Sequence, residues 1–429
     1  MLDIKFIREN PDTVKQAMKN RGVDVDIDAI LNADQVRLDV LQRLEERRSA
    51  HKKGTAPSDD LKKEKQEIRE LEERLRTAED AVDAALAPLP NIPLDDTPVG
   101  ADSSANVVVR EWGTKPEFAF TPKHYLDIAE KLGIVDTETA GTVSGTRFGY
   151  LLGGAAMLEF ALLHYAVSRL TDESFVDGLV HAAGLPLVAK PFLPVIPPVL
   201  IRPEMMKAMG FSERAGADRG NDEIYYLPKD ELYLVGTSEQ SVGPYHYGRI
   251  LNAEDLPLRY VAFSTCFRRE SGAAGKDTRG ILRVHQFDKL EMFTVCEPAA
   301  STDEHRLLLA AEEALMQGLG LHYRVVRLCT GDISPASAAT YDIETWMPGQ
   351  DEYRETHSCS NTTDYQARAL KTRFRKAERK PELAHMLNGT ASAMGRMIIA
   401  ILEQYQNEDG SVRVPEALRP YMGGRDTIL

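Results

Sequence analysis

The stretch that decides the fold is residues 259–295, which reads RYVAFSTCFRRESGAAGKDTRGILRVHQFDKLEMFTV. Residues 260–270 and 285–295 are rich in the β-branched and aromatic residues that favour strands. The segment between them, 271–280, is polar and rich in glycine, and it predicts a loop. The sequence therefore predicts two strands joined by one long loop.

Side chains alternate between the two faces of a strand, so a period of two assigns each residue to a face. This period places Arg268 and Glu270 on one face of the first predicted strand. It also places four residues on one face of the second strand: Phe287, Lys289, Glu291 and Phe293. A guanidinium can bind a phosphate with two donors and an aromatic ring can stack on a base, so this face suits a nucleotide. The alternative is a solvated strand face that carries salt bridges, which are common on strands.

Two segments further along the chain favour the nucleotide. Gly395-Arg396 opens a helical run, and an arginine at a helix start adds to the positive end of the helix dipole. In the segment 353–360, Glu355 and Ser358 offer hard oxygen ligands suited to a magnesium ion that bridges phosphates. The sequence has no GxxxxGK[ST] motif, which excludes a P-loop enzyme.

The N-terminal part of the chain has a helical pattern. Apolar residues recur at heptad spacing over residues 61–86, and residues 27–53 are charged and helical in character. A glycine- and proline-containing breaker at 54–57 separates the two segments. The sequence predicts an antiparallel helical hairpin, which is either a dimerisation coil or an arm that contacts a partner.

A change of composition predicts the domain boundary. Residues 87–106 are rich in proline and have the composition of a linker. We therefore predict two domains, 1–105 and 106–429. Short strand patterns with interspersed helices in the second domain predict an α+β fold.

Overall composition excludes several classes of protein. The 429 residues carry a net charge of −14, which excludes a general nucleic-acid coat but allows a local RNA-binding surface. Cysteines at positions 266, 296, 329 and 359 are too far apart for a zinc-binding pair. Free thiols fit a cytoplasmic protein, and no stretch has the composition of a membrane helix.

These segments also carry a resemblance to a known family. Phe267-Arg268-Arg269-Glu270 resembles motif 2 of class II aminoacyl-tRNA synthetases, Gly395-Arg396 resembles motif 3, and residues 192–198 resemble motif 1. More narrowly, the chain is similar to seryl-tRNA synthetases. The matching segments occur in order: Gly236-Thr237-Ser238-Glu239, Asp277-Thr278-Arg279-Gly280, His285-Gln286-Phe287, Ser358-Cys359-Ser360, 364–368 and 415–421.

The resemblance covers nearly the whole chain. It implies an α+β fold, in which an antiparallel-sheet class II catalytic domain follows an N-terminal antiparallel helical hairpin. It also implies an ATP-dependent ligase that activates L-serine as seryl-adenylate and transfers it to serine tRNA, or to a selenocysteine tRNA. The hairpin is expected to bind the tRNA, and motif 1 is expected to form a homodimer. The expected cofactors are ATP and Mg²⁺, without zinc.

The resemblance assigns roles by position. Arg268, Glu355 and Arg396 are the expected catalytic residues, with Arg268 on the α-phosphate and Arg396 on the γ-phosphate. Phe287 is expected to stack on the adenine. The full ATP-binding set is Arg268, Arg269, Glu270, Val284, Phe287, Glu355, Thr356, His357, Ser358 and Arg396. The serine-binding set is Thr237, Ser238, Glu239, Arg268, Glu291, Asn388 and Thr390. Glu355 and Ser358 are the expected magnesium ligands.

One departure from the family pattern concerns the serine pocket. Thr390-Ala391 stands where the family usually has Ser-Gly, and alanine adopts a positive φ less readily than glycine. Two rival functions also remain. One is a related ligase that loads an amino acid onto a carrier protein, against which the hairpin argues. The other is an inactive RNA-binding paralogue, against which the retention of Arg268, Glu355 and Arg396 argues.

Overall fold

The computed structural model describes residues 1–53, 58–211, 223–271 and 279–429. The predicted breaker at 54–57 lies outside the described residues, and so does most of the glycine-rich loop, 272–278, with the matched Asp277 and Thr278. The chain divides into two compact units, Met1–Ile92 and Pro93–Leu429.

Within the described residues, the regular elements of the first unit are all helices. Its helices are α1 (Ile4–Glu9), α2 (Pro11–Asn20), α3 (Ile27–Lys53) and α4 (Ser58–Leu86). An ion pair joins Arg47 to Glu67 at 3.4 Å, and His51 Nδ1 lies within hydrogen-bonding distance of Glu64 Oε2 at 2.8 Å. His51 follows Arg47 along α3, whereas its partner Glu64 precedes Glu67 along α4. The two helices therefore run antiparallel. The predicted helical hairpin is confirmed.

The second unit begins with a segment that the composition had assigned to a linker. The backbone N–H of Leu94 donates to the Ala338 carbonyl at 2.9 Å, and Thr330 N–H donates to the Pro98 carbonyl at 2.8 Å. Residues 93–105 therefore pair with the unit that follows them, whereas the composition placed the boundary near residue 105. Proline content marks an irregular segment, but it does not say which unit accepts that segment's hydrogen bonds.

The second unit combines one large sheet with helices. Its helices are α5 (Tyr125–Leu132), α6 (Glu138–Ser144), α7 (Gly153–Leu170), α8 (Glu173–Ala182), α9 (Pro203–Ala208), α10 (Glu239–Val242), α11 (Ser301–Gly318), α12 (Tyr365–Ala369) and α13 (Met394–Gln404). Its strands are β1 (Val107–Trp112), β2 (Val135–Asp136), β3 (Tyr150–Leu151), β4 (Leu193–Val195), β5 (Leu200–Ile201), β6 (Tyr226–Leu227), β7 (Leu232–Leu234), β8 (Ile250–Asn252), β9 (Leu258–Phe267), β10 (Gln286–Cys296), β11 (Tyr323–Arg327), β12 (Ala339–Met347), β13 (Glu352–Asn361), β14 (Arg373–Arg375), β15 (Glu382–Leu383), β16 (His385–Ala393), β17 (Val412–Arg413) and β18 (Thr427–Ile428).

The large sheet has eight strands in the order β1-β11-β12-β13-β16-β10-β9-β4. Every neighbouring pair is antiparallel except β4 and β9 at one edge, which are parallel. α11 packs on β13 and β16, and α13 packs on β10 and β12. Leu290 and Met292 of β10 lie in the main apolar core with these helices, so the alternate residues of β10 face away from it.

The first predicted strand is shorter than expected, so the prediction that Arg268 and Glu270 share a strand face is wrong. β9 ends at Phe267. Arg269 N–H donates to the Glu223 carbonyl instead of continuing the sheet, and Glu270 has a φ of +52°. A left-handed residue ends an extended strand, and sequence periodicity cannot detect it. The second predicted strand is observed as β10.

Candidate active site

A cavity of about 260 Å³ opens at the middle of the large sheet. Its walls come from the end of β9, from β10, β13 and β16, and from the first turn of α13. Thirteen of the residues that the sequence singled out line it: Thr237, Glu239, Arg268, Glu270, Val284, Phe287, Glu291, Glu355, Thr356, Ser358, Asn388, Thr390 and Arg396. Residues far apart in the chain thus meet in one place.

One end of the cavity combines a cation with an aromatic ring. Arg268 follows β9 directly, and its Nε donates to the Gly236 carbonyl at 3.0 Å. Its guanidinium lies 5.3 Å from the centroid of the Phe287 ring on β10. Glu270 lies beside them and forms an ion pair with Arg283 at 3.5 Å. A guanidinium held by a backbone carbonyl keeps its remaining donors available for an anion.

The cavity also contains a second cation, which lies at a helix start. Arg396 lies in the first turn of α13, and its Nη1 donates to the Glu355 carbonyl at 2.8 Å. The same atom lies 3.3 Å from Glu355 Oε2. Desolvation opposes ionisation of Glu355, but Arg396, followed by Arg268 and Lys289, holds the pKa of its carboxyl below the ordinary value. The Glu355 side chain stays 49% exposed, so an ionised carboxylate faces the cavity.

A β-bulge explains how β13 supplies neighbouring residues to one cavity. Glu355 pairs with Glu344 and His357 pairs with Ile343, which leaves Thr356 as the extra residue. An extra residue interrupts the alternation of faces, so Glu355 and Thr356 both line the cavity together with Ser358.

Acidic residues surround the other end of the cavity. Glu239 is buried and accepts a hydrogen bond from Gln366 Nε2 at 2.9 Å. Burial, followed by the nearby Glu291 carboxylate, raises the pKa of Glu239 to about 7. Lys289 forms an ion pair with Glu291. Polar oxygens of Thr237, Asn388 and Thr390 complete this end, which therefore suits a small molecule with an ammonium and a hydroxyl group.

Thr390 and Ala391 lie within a strand, where no glycine is required. Ala391 is the extra residue of a second bulge, because Leu290 pairs with Ser392 whereas Glu291 pairs with Thr390. It is absent from the positive-φ residues of the described chain. The alanine is therefore compatible with the backbone at this position.

Three of the expected site residues do not line the cavity. Arg269 turns outwards, where its Nε donates to the Ile224 carbonyl at 3.2 Å and its guanidinium lies 4.6 Å from the Tyr225 ring. Ser238 is buried and donates to the Ala262 carbonyl at 3.2 Å. His357 is buried on the opposite face of β13, and burial lowers its pKa to about 4.

The cavity also contains residues that the sequence did not assign. One of them is Lys289. The period of two had placed it on the same face of β10 as Phe287 and Glu291, so the sequence contained enough information to assign it to the site. Arg283 lies just before β10, at the end of the loop that joins β9 to β10, where the alternation of strand faces does not apply. Ser334, Ala336 and Ser337 come from an irregular segment between β11 and β12, and no motif marks them.

Within the described ranges, no group of three or more histidine, cysteine, aspartate or glutamate residues could hold a metal ion. No helix of the described chain is long and apolar enough to cross a membrane.

Comparisons with known proteins show the family to which the chain belongs. A family model for the tRNA synthetase class II core domain (G, H, P, S and T) matches residues 226–405, and a model for the seryl-tRNA synthetase N-terminal domain matches residues 1–57. The chain is 40% identical to a serine–tRNA ligase of Thermodesulfovibrio yellowstonii, covering 99% of each protein. It is 43% identical to the corresponding ligase of Clavibacter michiganensis, covering 100% of this chain and 98% of that one.

Solved structures give the same result. A seryl-tRNA synthetase from Pyrococcus horikoshii complexed with ATP superposes with a TM-score of 0.88 at 37% identity, covering 100% of this chain and 99% of that one. A cytoplasmic serine–tRNA ligase from Naegleria fowleri in complex with AMP gives a TM-score of 0.86 at 32% identity, covering 100% of this chain and 98% of that one. This chain belongs to the seryl-tRNA synthetase family of class II aminoacyl-tRNA ligases.

Proposed function

We propose that this chain is a serine–tRNA ligase, which joins L-serine to ATP in the cavity and then passes the seryl group to serine tRNA. One observation carries the proposal. A single cavity has a cationic and aromatic end beside Arg268 and Phe287 and an acidic end beside Glu239 and Glu291. The first end suits a nucleotide triphosphate and the second suits an amino acid, so their reacting groups meet between them.

The first reaction needs no side-chain nucleophile. The carboxylate of serine attacks the α-phosphorus of ATP, and the bond from that phosphorus to the bridging oxygen of pyrophosphate breaks. Catalysis then depends on positioning and on neutralising the charge of the phosphates. In this proposal Arg268 binds the α-phosphate, Arg396 binds the γ-phosphate, and Phe287 stacks on the adenine with Glu270 and Val284 beside it.

Serine is proposed to bind with its ammonium towards Glu239 and its hydroxyl towards Glu291 and Thr390. Thr237 and Asn388 supply further oxygens to this end of the cavity. Such a pocket disfavours alanine, because alanine would leave a buried polar group without a partner.

The residues present fit a magnesium ion that accompanies ATP. Glu355 is held ionised by its cationic neighbours and Ser358 lines the same wall, so they offer a carboxylate and a hydroxyl oxygen. The ion would supply charge neutralisation to the triphosphate. His357 and Arg269 do not line the cavity, so we do not assign them a contact with ATP.

We further propose that the hairpin α3–α4 binds the tRNA, that the chain works as a homodimer, and that it acts in the cytoplasm. The match of residues 1–57 to the seryl-tRNA synthetase N-terminal domain supports the role of the hairpin. It also argues against the rival ligase that loads a carrier protein.

The test is aminoacylation by the purified chain with radiolabelled serine and two acceptors, serine tRNA and an acyl-carrier-type protein. We expect label on the tRNA only. Label on the carrier protein alone would identify the rival ligase, and the absence of label on either acceptor would support the inactive paralogue.

A further inference from the structure

A strongly basic segment lies outside the cavity and is not used by the proposed reaction. Six of the ten residues from Lys371 to Lys380 are lysine or arginine, and only Glu378 is acidic. The whole chain has a net charge of −14, so this concentration of cations is exceptional within it. A local reversal of charge sign is a typical feature of a surface that binds a polyanion.

The fold exposes these cations on and around the small sheet β15-β14-β8. Arg373 and Arg375 are the exposed residues of β14, while Phe374 between them and Thr372 before them are buried. β14 pairs with β8 in parallel, and Arg373 N–H donates to the Arg249 carbonyl at 3.0 Å. Arg249 therefore lies beside the strand. We define the basic surface as six exposed residues: Arg249, Lys371, Arg373, Arg375, Arg379 and Lys380.

These six side chains are available to a ligand. Within the described residues none of them forms an ion pair with a carboxylate. Lys376, the remaining cation of the segment, forms an ion pair with Glu297 and is not part of the basic surface. Cations without an acidic partner lose little when they bind phosphates, since no existing pair must break.

Exposed tyrosine rings lie next to the basic surface. Tyr245 is 62% exposed and Tyr247 is 48% exposed. The guanidinium of Arg249 lies 5.9 Å from the Tyr245 ring. Rings beside cations suit RNA in particular, because unpaired bases stack on aromatic side chains while phosphates meet the cations.

The chain connects the basic surface to the cavity from two directions. Gln366 hydrogen-bonds to Glu239 in the cavity wall, and Lys371 follows five residues later, which limits their separation to ~18 Å. On the other side, β15 leads directly into β16, whose Asn388 and Thr390 line the cavity. The surface therefore lies close to the serine end, where an acceptor RNA must bring its terminal ribose.

We propose that the basic surface binds the phosphate backbone of the tRNA near its 3′ end and so guides that end to the cavity. This inference rests on the proposed function, because it takes tRNA as the acceptor. The alternative occupant is an acidic protein, and measuring the affinity for serine tRNA distinguishes the two.

The test compares two triple variants that each remove three positive charges from the full-length chain. The first is Arg373→Gln, Arg375→Gln and Arg379→Gln, at exposed positions of the basic surface. The matched control is Lys229→Gln, Arg413→Gln and Arg425→Gln, at exposed positions of other segments. Affinity for serine tRNA is measured between low and moderate salt, and serine-dependent pyrophosphate exchange is measured in parallel.

For the basic-surface variant we expect weaker tRNA binding, with the slope of log affinity against log salt reduced by about one per lost phosphate contact, about three in all. Exchange should remain at the wild-type level. The control variant should bind tRNA like the wild type. The proposal is overturned if the basic-surface variant binds like the wild type, as an acidic protein occupant would require, or if both variants weaken equally. Failure of exchange in the wild-type chain would instead refute the proposed function.

Discussion

Arg268 is the residue on which the proposed activation chemistry depends most. It is held by the Gly236 carbonyl and faces the Phe287 ring. Arg268→Ala should lower serine-dependent pyrophosphate exchange by a factor of about 100 or more, since removing one preorganised charge stabiliser costs ~3 kcal/mol. Arg306→Ala, on the exposed side of α11, is the control and should exchange normally. Near-normal exchange by the Arg268 variant would remove this residue from the mechanism.

Glu239 should give serine binding a pH dependence. Burial, followed by Glu291, raises its pKa to about 7, so its carboxyl is protonated in much of the free enzyme below that pH. Because an ammonium binds the ionised form, kcat/KM for serine should rise with pH and be about tenfold lower at pH 6 than on the plateau. The measurement is pyrophosphate exchange between pH 6 and pH 8.5. Glu239→Gln should abolish this dependence, and a flat wild-type profile would contradict the role.

Individual residues of the site were only partly predictable. Motif matches identified most of the lining residues, and a period of two placed Phe287, Lys289 and Glu291 on one face of β10. The sequence did not reveal the left-handed conformation of Glu270 or the bulge at Thr356. Both depend on hydrogen bonds to residues remote in the chain. Ser334 and Ser337 come from irregular backbone, where no period applies.

The helical hairpin is the element with the most separable role. Lys62, Lys63 and Lys65 are exposed near the start of α4, whereas Arg47 and Arg48 form surface ion pairs with Glu67 and Glu72. Lys53 is a further cation at the end of α3, and its side chain lies outside the described residues. Surface ion pairs are worth about 0–1 kcal/mol, so phosphates can displace them.

Deletion of residues 1–92 should leave serine-dependent exchange largely intact and severely reduce charging of serine tRNA. The whole helical unit is removed, rather than 27–86 alone, because Arg8 of α1 forms an ion pair with the buried Asp34 of α3 at 2.6 Å. In the full-length chain, Lys62→Gln with Lys63→Gln and Lys65→Gln should weaken charging without affecting exchange. Loss of exchange together with charging would mean that the helical unit supports the catalytic fold.

The sequence predicted the presence of helices and strands better than the residues at which they end. Heptad spacing over residues 61–86 located α4, and Val82 and Leu86 within that range are buried. Alternation located β10 over almost its full length. The end of β9 was missed because a strand stops where its hydrogen-bond partners stop, and those partners are not adjacent in sequence.

At the scale of the whole molecule, we predict a homodimer. The motif 1 segment forms the edge strand β4, where Leu193 is 59% exposed, and the adjoining Ile196 is 86% exposed. An exposed apolar sheet edge is a ready surface for a second copy. Light scattering at micromolar concentration should give about twice the 47.7 kDa of one chain.

Ile196→Asp should shift the dimer towards monomer, because a charge would enter the buried interface. A wild-type chain that is monomeric and fully active would contradict the predicted interface.

The central claim is that one cavity joins ATP to serine, and amino-acid-dependent exchange of pyrophosphate into ATP tests it most directly. The wild-type chain should exchange with serine, and at least about tenfold less efficiently with alanine, since an unpaired buried polar group costs ~1–3 kcal/mol. Threonine should also be poor, because its extra methyl group must fit against the pocket wall. Exchange that is absent with serine, or equal with alanine, would contradict the account.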